Sequence, residues 1–220
     1  ASATGGGFES LAINPAAATT AVADTIDSVT ATLTASGSVA EGTPITYTVS
    51  LPNVVTGSPV TVSLANGETI TIGIGASSGS TTANTTDNAY SGSSTVSNSI
   101  ASLSGGNFEN LVADGTVVST SVTDEVPSDV TTVSLTATAN VAEGGSIVYT
   151  ATLSNAAASP VTVTLSNGAV ITIGAGALSN TTSVAAPSDD VYVDAGSVSA
   201  TIASATGGGF ESLAINPAAA

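Results

Sequence analysis

One stretch of the sequence occurs twice, letter for letter, and it determines how the chain is organised. Residues 1–18 read ASATGGGFESLAINPAAA and recur unchanged at residues 203–220. A diverged version, ASLSGGNFENLVADGT, begins at Ala101, so the repeat period is about a hundred residues. Solenoid units usually span roughly 20 to 50 residues, and a longer period is typical of an array of whole domains.

We predict that the chain consists of two modules. The joint between them is the stretch Val122-Thr-Asp-Glu-Val-Pro-Ser-Asp129. We predict that module one spans residues 27–126 and that module two spans residues 127–220, with its last strand truncated. Residues 1–26 then correspond to the last strand and linker of a preceding repeat.

Two explanations are open for a chain that begins with the end of one repeat and stops before the end of another. The chain contains no Met and stops before the module-two counterpart of Val117 to Asp124, so we expect it to be an excerpt from a longer array. The alternative is that residues 1–26 complete the last module of a neighbouring chain by strand addition.

Short alternating runs between turn residues predict an all-β fold. Ile147, Tyr149, Ala151 and Leu153 fall on one face of a strand because side chains alternate with a period of two. Asn-Gly pairs at positions 66–67 and 167–168 are strong hairpin signals. Later runs bring each module to about seven strands, which is typical of an immunoglobulin-like β-sandwich. These later runs in module two are Thr181 to Ala185, Ser197 to Ala203 and Phe210 to Ile215.

The charge balance excludes several kinds of function. Lys+Arg and His are both 0 against 16 Asp+Glu, so the formal net charge is -16. Binding to nucleic acid or anionic lipid depends on basic side chains, and neither partner is expected. Without His, Cys, Lys or Arg the common general bases, thiolates and oxyanion clamps are missing, so we predict that the protein is not an enzyme. No run of 18 apolar residues occurs, so neither a signal peptide nor direct membrane insertion is predicted.

The same composition points to calcium as a stabilising ligand. Cys is 0, so disulfides cannot reinforce the modest Val/Ile/Leu/Ala cores. Calcium takes six to eight hard oxygen ligands, which Asp, Glu and Asn in Gly-rich loops supply. Three acidic groups are candidates: Asp189, Asp190 and Asp194 in one loop; Glu143 with its counterpart Glu41; and the joint, with Asp124 and Asp129, their counterparts Asp24 and Asp27, and Glu109 and Glu9 nearby.

Each group has a simpler interpretation that needs no metal. The first could be a solvated acidic turn, the second an exposed Glu beside a turn Gly, and the third a flexible acidic linker. The Phe residues of the GG-x-F-E stretches, Phe8, Phe108 and Phe210, are predicted to be core anchors.

The chain resembles a known family. AEGGSIVYTATLSNAAASPVTVTLSNGAVITIGAGA, followed by PSDDVYVDAGSVSATIASATGGGFESLAINPAAA and TTAVADTID, is similar to the immunoglobulin-like extender repeats of giant biofilm adhesins, the LapA-like RTX adhesins secreted by the type I route. The resemblance covers essentially the whole chain. It implies calcium-dependent extender domains, outside the cell on a bacterial surface, that hold terminal adhesive domains away from the outer membrane.

The resemblance also implies ligand positions. These are Glu143, Asp189, Asp190 and Asp194 in module two and Asp124 and Asp129 at the joint. Module one departs from this pattern, because it keeps Asp87 but has Gly92 where module two has Asp194.

Our leading hypothesis is a rod segment whose joint is neutralised by Ca²⁺ and whose partners are neighbouring repeats of the same protein. Two alternatives remain open. One is a glycan-binding or surface-binding module, and the other is a filament subunit that exchanges a strand with an adjacent copy.

Overall fold

The computed structural model describes residues 2–192 and 196–217, and these contain strands, turns and bends but no helix. Module one has ten strands: β1 (Ser28–Ala35), β2 (Ser38–Ala40), β3 (Pro44–Ser50), β4 (Val60–Leu64), β5 (Thr69–Ile72), β6 (Ser78–Asn84), β7 (Ser93–Asn98), β8 (Ile100–Gly105), β9 (Asn110–Ala113) and β10 (Val118–Thr123). Module two has seven described strands: β11 (Val130–Ala137), β12 (Ser146–Leu153), β13 (Val161–Leu165), β14 (Val170–Ile173), β15 (Ser179–Ala185), β16 (Ile202–Gly207) and β17 (Ser212–Ile215).

Three sheets form module one. Their strand orders are β6-β3-β1-β9, β5-β4-β8 and β2-β10-β7. The pairings are antiparallel, with two exceptions: β1 runs parallel to β9, and β2 runs parallel to β10. The Asn-Gly turn at positions 66–67 joins β4 to β5, as the sequence predicted.

Module two reproduces the first two of these sheets. Their orders are β15-β12-β11-β17 and β14-β13-β16, and β11 runs parallel to β17 as β1 does to β9. The second Asn-Gly hairpin joins β13 to β14. The all-β tandem sandwich expected from the sequence is therefore confirmed.

Each module encloses its own apolar core. Ile147, Tyr149, Ala151 and Leu153 are all buried on one face of β12, as their alternation predicted. Tyr149 and its counterpart Tyr47 are among the largest fully buried side chains. Burial of Val, Ile and Leu around each Tyr removes apolar surface from water, which is the main favourable contribution to folding here.

The predicted strand from Ser197 to Ala203 is wrong over most of its length, because β16 begins only at Ile202. In module one the corresponding strand is β7, whose hydrogen-bonding partner is β10, the central strand of its sheet. No described residue of module two occupies the place of β10. The two segments of module two that correspond to β2 and β7 therefore have no strand to pair with. Residues 139–142 and 196–201, which belong to these segments, stay irregular.

The amino-terminal segment, residues 2–26, is exposed and forms no strand. Phe8 in this segment is 68% exposed, so the prediction that it anchors a core is wrong for this copy of the stretch. In the part of the chain that the structure describes, no helix has the length and apolar character needed to span a membrane.

Candidate metal centre at the joint between modules

The first acidic side chain at the joint, Glu41, lies in the turn after β2. Its backbone N–H donates a 2.8 Å hydrogen bond to the carbonyl of Thr123, the last residue of β10. This bond fixes the turn beside the point where the chain leaves module one. Glu41 is only 8% exposed although it carries a carboxylate, and a buried charge is costly unless it is paired or neutralised.

The second contribution comes from the loop after β6. Asn88 donates its side-chain amide to the Glu41 carboxylate. Asp87 packs against the Glu41 turn so closely that a Cβ added to Gly42 would lie 3.4 Å from Asp87 Cβ. Gly42 also has a φ of 66°, a conformation that glycine adopts without strain. The Val-Ala-Glu-Gly turn is therefore built to hold Glu41 and Asp87 side by side.

The linker supplies three more carboxylates. Asp124 accepts the backbone N–H of Gly92 at 3.0 and 3.2 Å. Glu125 Oε2 is buried and has no hydrogen-bond partner. Asp129 lies at the far end of the linker, beyond a cis Val126–Pro127 peptide bond.

Glu211, from the GG-x-F-E stretch of module two, completes the cluster. Its Oε2 accepts the backbone N–H of Asp129 at 2.7 Å, while its Oε1 is buried without a partner. The corresponding residue in module one, Glu109, accepts the backbone N–H of Asp27 in the same way at 2.5 Å. The Glu of this stretch thus caps the start of each module.

Two groups of carboxylate oxygens meet at the joint. In one group oxygens of Glu41, Glu125 and Glu211 lie within 4.8 Å of one another, and in the other those of Asp87, Glu125 and Asp129 do. Ca²⁺ binds oxygens at about 2.3–2.6 Å, so oxygens separated by up to about 5 Å can share one ion. Glu125 belongs to both groups. The first group combines ligands from module one, the linker and module two, and the second combines ligands from module one and the linker.

Crowding of these acids raises two pKa values. The pKa of Glu41 is raised by burial and by the charges of Glu211, Asp124 and Glu125, against a smaller opposite effect of the Asn88 amide. The hydrogen bond from the Asp129 N–H lowers the pKa of Glu211, but burial and the charges of Glu125, Asp124 and Asp129 outweigh it, so this pKa is raised too. Both shifts mean that negative charge at the joint is disfavoured unless a cation compensates it.

These shifts predict the pH dependence of the metal-free protein. A carboxyl whose pKa is higher in the folded than in the unfolded state binds extra protons on folding, so stability decreases as pH rises through the folded-state pKa. In chelator, we expect the Tm to increase as the pH is lowered from neutrality towards 4.5, the ordinary pKa of Glu, by about 2–4 °C for each kcal/mol gained. Differential scanning calorimetry measures this directly.

The double variant Glu41→Gln/Glu211→Gln serves as the control, because it removes both titrating groups and should flatten the pH profile. A Tm that falls over the same pH range in the unsubstituted chain would contradict the assignment.

Aromatic and backbone contacts also cross the joint. The ring of Tyr90 from module one stacks on Phe210 of module two, with centroids 5.8 Å apart and planes inclined by 21°. The Tyr90 hydroxyl donates to the carbonyl of Ala156 at 2.8 Å. Backbone hydrogen bonds connect Ser91 N–H to Gly209 O and Glu211 N–H to Ala89 O, at 3.0 and 3.2 Å. The two modules therefore share an ordered contact beside the acids.

The structure places the predicted ligands in two sets. Those it brings together at the joint are Glu41, Asp87, Asp124 and Asp129. The sequence pattern predicts positions within module one for Glu41 and Asp87, but both lie at the end of the module where the linker leaves. Sequence reasoning could not show this because the turn after β2 and the loop after β6 are separated by more than forty residues.

The remaining predicted ligands do not form such a group among the described residues. Glu143 is half-buried, whereas Asp189, Asp190, Asp24, Asp27, Glu9 and Glu109 are exposed. Asp189 and the Glu143 turn are nevertheless neighbours, since a Cβ on Gly144 would lie 3.6 Å from Asp189 Cβ. Asp194 lies outside the described residues. Their role in metal binding stays a prediction.

Two cluster members, Glu125 and Glu211, were not among the predicted ligands. A signal for Glu211 existed, because it occupies the same position in its GG-x-F-E stretch as Glu109 and Glu9. For Glu125 the signal was its place in the acidic joint stretch between Asp124 and Asp129, although residue 25 in the amino-terminal copy is Thr.

The fold and the joint define a class of protein: a tandem array of β-sandwich repeats with acidic contacts between consecutive repeats. The family model described as LapA domain matches residues 27–125 and 129–220, once for each module. The chain belongs to this family, and it is a repeat segment related to biofilm adhesins. Membership indicates a cell-surface or extracellular location and a structural rather than catalytic role. No curated protein matches the chain.

Proposed function

We propose that this chain is an extender segment of a bacterial surface adhesin, in which calcium fixes the joint between consecutive β-sandwich repeats. The observation that carries the proposal is the convergence of Glu41, Glu125 and Glu211 within 4.8 Å, because these three come from module one, the linker and module two. An ion bound to all three would tie both modules to the linker.

The chemistry of the cluster favours a hard divalent cation. All its charged groups are carboxylates, and Lys+Arg and His are 0 in the chain, so no side chain can supply the compensating charge. Glu125 Oε2 and Glu211 Oε1 are buried without a partner, which leaves two strong acceptors free to bind a metal. Asn88, already bonded to Glu41, orients that carboxylate from outside the group.

A second group, Asp87, Glu125 and Asp129, offers an adjacent position for another cation, with Glu125 bridging the two. Calcium at either position would cancel repulsion that otherwise pushes the modules apart. The joint would then change from a flexible acidic linker to a fixed contact, and a series of such joints would hold the adhesive domains of the intact protein away from the cell.

Calcium binding measured by isothermal titration calorimetry tests the proposal. We expect saturable binding to the unsubstituted chain and at least a tenfold weaker affinity for Glu211→Gln, because an amide oxygen is a poorer ligand than a carboxylate. Glu109→Gln is the matched control, since Glu109 makes the same backbone hydrogen bond at the start of module one but lies outside the cluster. It should bind calcium like the unsubstituted chain.

Absence of binding, or equal losses in the two variants, would refute a joint site. Small-angle scattering with and without chelator adds an independent measurement. A fixed joint gives a narrow distribution of end-to-end distances for the two modules, and a free joint gives a broad one.

A further inference from the structure

We propose that module one contains a sugar-binding cavity, which takes the terminal hexose ring of a neutral glycan. The cavity lies between strands β6 and β7, beside the joint, and Glu41 is the one carboxylate of the joint that also lines it. Binding at this cavity would be a second function of the module, additional to the proposed role as an extender.

The cavity exists because β6 and β7 do not pair with each other. Strand β6 is the last strand of the sheet β6-β3-β1-β9, and β7 is the last strand of the sheet β2-β10-β7. The side chains that line the gap from these two strands include Ala83 and Ser94, which are small. They leave a space of about 570 Å³, within the range of roughly 300–1,000 Å³ that is typical of small-molecule sites.

The inner surface of the cavity is apolar. Ile45 from β3 and Val122 from β10 line it and are 2% and 5% exposed, and Val96 from β7 lines it at 37% exposure. A pyranose ring presents C–H groups on its faces and hydroxyls around its edge. Its faces can therefore pack on this apolar surface, provided that polar groups of the protein meet the hydroxyls.

A buried polar group points to a ligand with hydrogen-bond acceptors. Tyr47 from β3 lines the cavity and is 1% exposed, yet among the described residues its hydroxyl has no hydrogen-bond partner. Asn98 lies next to the cavity, because its Oδ1 accepts the backbone N–H of the lining residue Asn66 at 3.2 Å. Its Nδ2 is likewise buried without a partner in the described part of the chain. Buried polar groups normally have partners, and the hydroxyl oxygens of a sugar would supply one to Tyr47.

The rim of the cavity supplies groups that accept as well as donate. Glu41 offers carboxylate oxygens, and Asn84 and Asn88 offer side-chain amides. Amides donate and accept, and carboxylates accept, so adjacent hydroxyls of one ring find partners of both kinds. Because Lys+Arg and His are 0, an acidic sugar would meet the Glu41 charge with no basic residue to offset the repulsion. The ligand is therefore neutral.

The loop that forms the rim, residues 85–92, is fixed near both ends. The Thr85 hydroxyl donates to the carbonyl of Thr43 at 2.8 Å, and Gly92 N–H donates to the Asp124 carboxylate at 3.0 Å. Within the loop, Tyr90 N–H donates to Asn88 Oδ1 at 3.0 Å. A rim held in this way keeps the cavity formed before a ligand arrives, which lowers the entropy lost on binding.

The mouth of the cavity favours the end of a glycan over a buried free sugar. Asn84, Ser93 and Ser94 line the cavity and are exposed, so the cavity opens directly to solvent. A ring at the end of a chain can enter through this opening while the next ring stays outside.

Ligand-observed saturation-transfer NMR on the whole chain tests the proposal. The probes are the methyl glycosides of glucose, galactose and mannose, titrated in excess chelator so that the result does not depend on calcium. We expect saturable binding of at least one, with a Kd on the order of 1 mM, and binding of the free hexose no tighter than that of its methyl glycoside. The corresponding uronic acid should bind at least tenfold more weakly.

Two Tyr→Phe variants separate the cavity from a general effect of losing a hydroxyl. Tyr47→Phe should weaken binding about three- to tenfold, the effect of one hydrogen bond. Tyr149→Phe is the matched control, because its hydroxyl is also buried without a partner among the described residues but belongs to the core of module two. Neither variant removes a hydrogen bond of the folded chain, so both should keep the Tm of the unsubstituted protein.

A second pair of variants tests the location of the site. Ser94 pairs with the inward-facing Val122 and lines the cavity, whereas Thr95 pairs with Ser121 on the opposite face of the sheet. Ser94→Phe should fill the cavity and abolish binding, and Thr95→Phe should leave binding unchanged.

Absence of saturable binding for all three glycosides would overturn the proposal. So would equal binding of the uronic acid, or equal losses within either pair of variants. Binding of a free hexose but not of its methyl glycoside would overturn the assignment to a glycan end. Since Tyr47 and Ser94 lie outside both groups of carboxylates, failure here would leave calcium binding untouched, and the titration of Glu211→Gln reports that separately.

Discussion

Chelation of calcium is expected to lower the Tm of the chain by roughly 5–10 °C. A ligand present at a hundred times its Kd stabilises the state that binds it by about 2.7 kcal/mol, and each kcal/mol shifts the Tm of a chain of this size by about 2–4 °C. The physical cause is the cluster itself: without a cation, Glu41, Glu125 and Glu211 repel one another at close range in a partly buried site.

Differential scanning calorimetry in excess calcium and in excess chelator provides the measurement. The triple variant Glu41→Gln/Glu125→Gln/Glu211→Gln is the control, because it removes both the ligands and the repulsion. Its Tm should be the same in the two buffers and should exceed that of the chelated unsubstituted chain. A chelator effect of equal size in this variant would place the stabilising calcium somewhere other than the joint.

Substituting Val122 by Asp in β10 is expected to destabilise module one by about 3 kcal/mol or more, since it buries a carboxylate with no positive partner. Val122 is 5% exposed and packs in the core of module one. The loss should extend beyond the substituted strand, because β10 is the central strand of its sheet. Strands β2 and β7 would lose their ladder and come to resemble the irregular segments of module two.

Hydrogen exchange detected by mass spectrometry can follow this loss segment by segment. Peptides covering β7 should exchange faster in Val122→Asp, approaching the rate of peptides that cover residues 196–201 of the unsubstituted chain. Ser121→Asp, on the exposed face of the same strand, should leave β7 protected. If β7 kept its protection in Val122→Asp, the third sheet would not depend on β10.

Much of the fold could be predicted because it is determined by local patterns. Alternation identified the buried face of β12, and two Asn-Gly turns identified the hairpins. The strand predicted from Ser197 to Ala203 failed for a reason that is not local. Its alternation is as good as that of β7, but a strand forms only when another strand pairs with it, and the partner of β7 is supplied by residues some twenty positions later.

The joint was harder to predict for a similar reason. The sequence showed an acidic stretch around Asp124 and Asp129 and the lack of any basic residue. Which other acids meet there depends on how the ends of two sandwiches face each other. Glu41 and Asp87 come from a turn and a loop of module one, and Glu211 is the residue before β17 in module two. Only the folded chain brings each of them beside Glu125.

The parallel pairing of β1 with β9, repeated by β11 with β17, determines how each module would respond to pulling. A tether on a surface in flowing liquid is stretched from its two ends. Tension on the amino-terminal end of β1 drags that strand backwards along a neighbour that runs in the same direction, so the hydrogen bonds between Ser28–Ala31 and Asn110–Ala113 are loaded together in shear instead of opening one at a time. Each module would therefore act as a mechanical clamp, which fits the extender role proposed above.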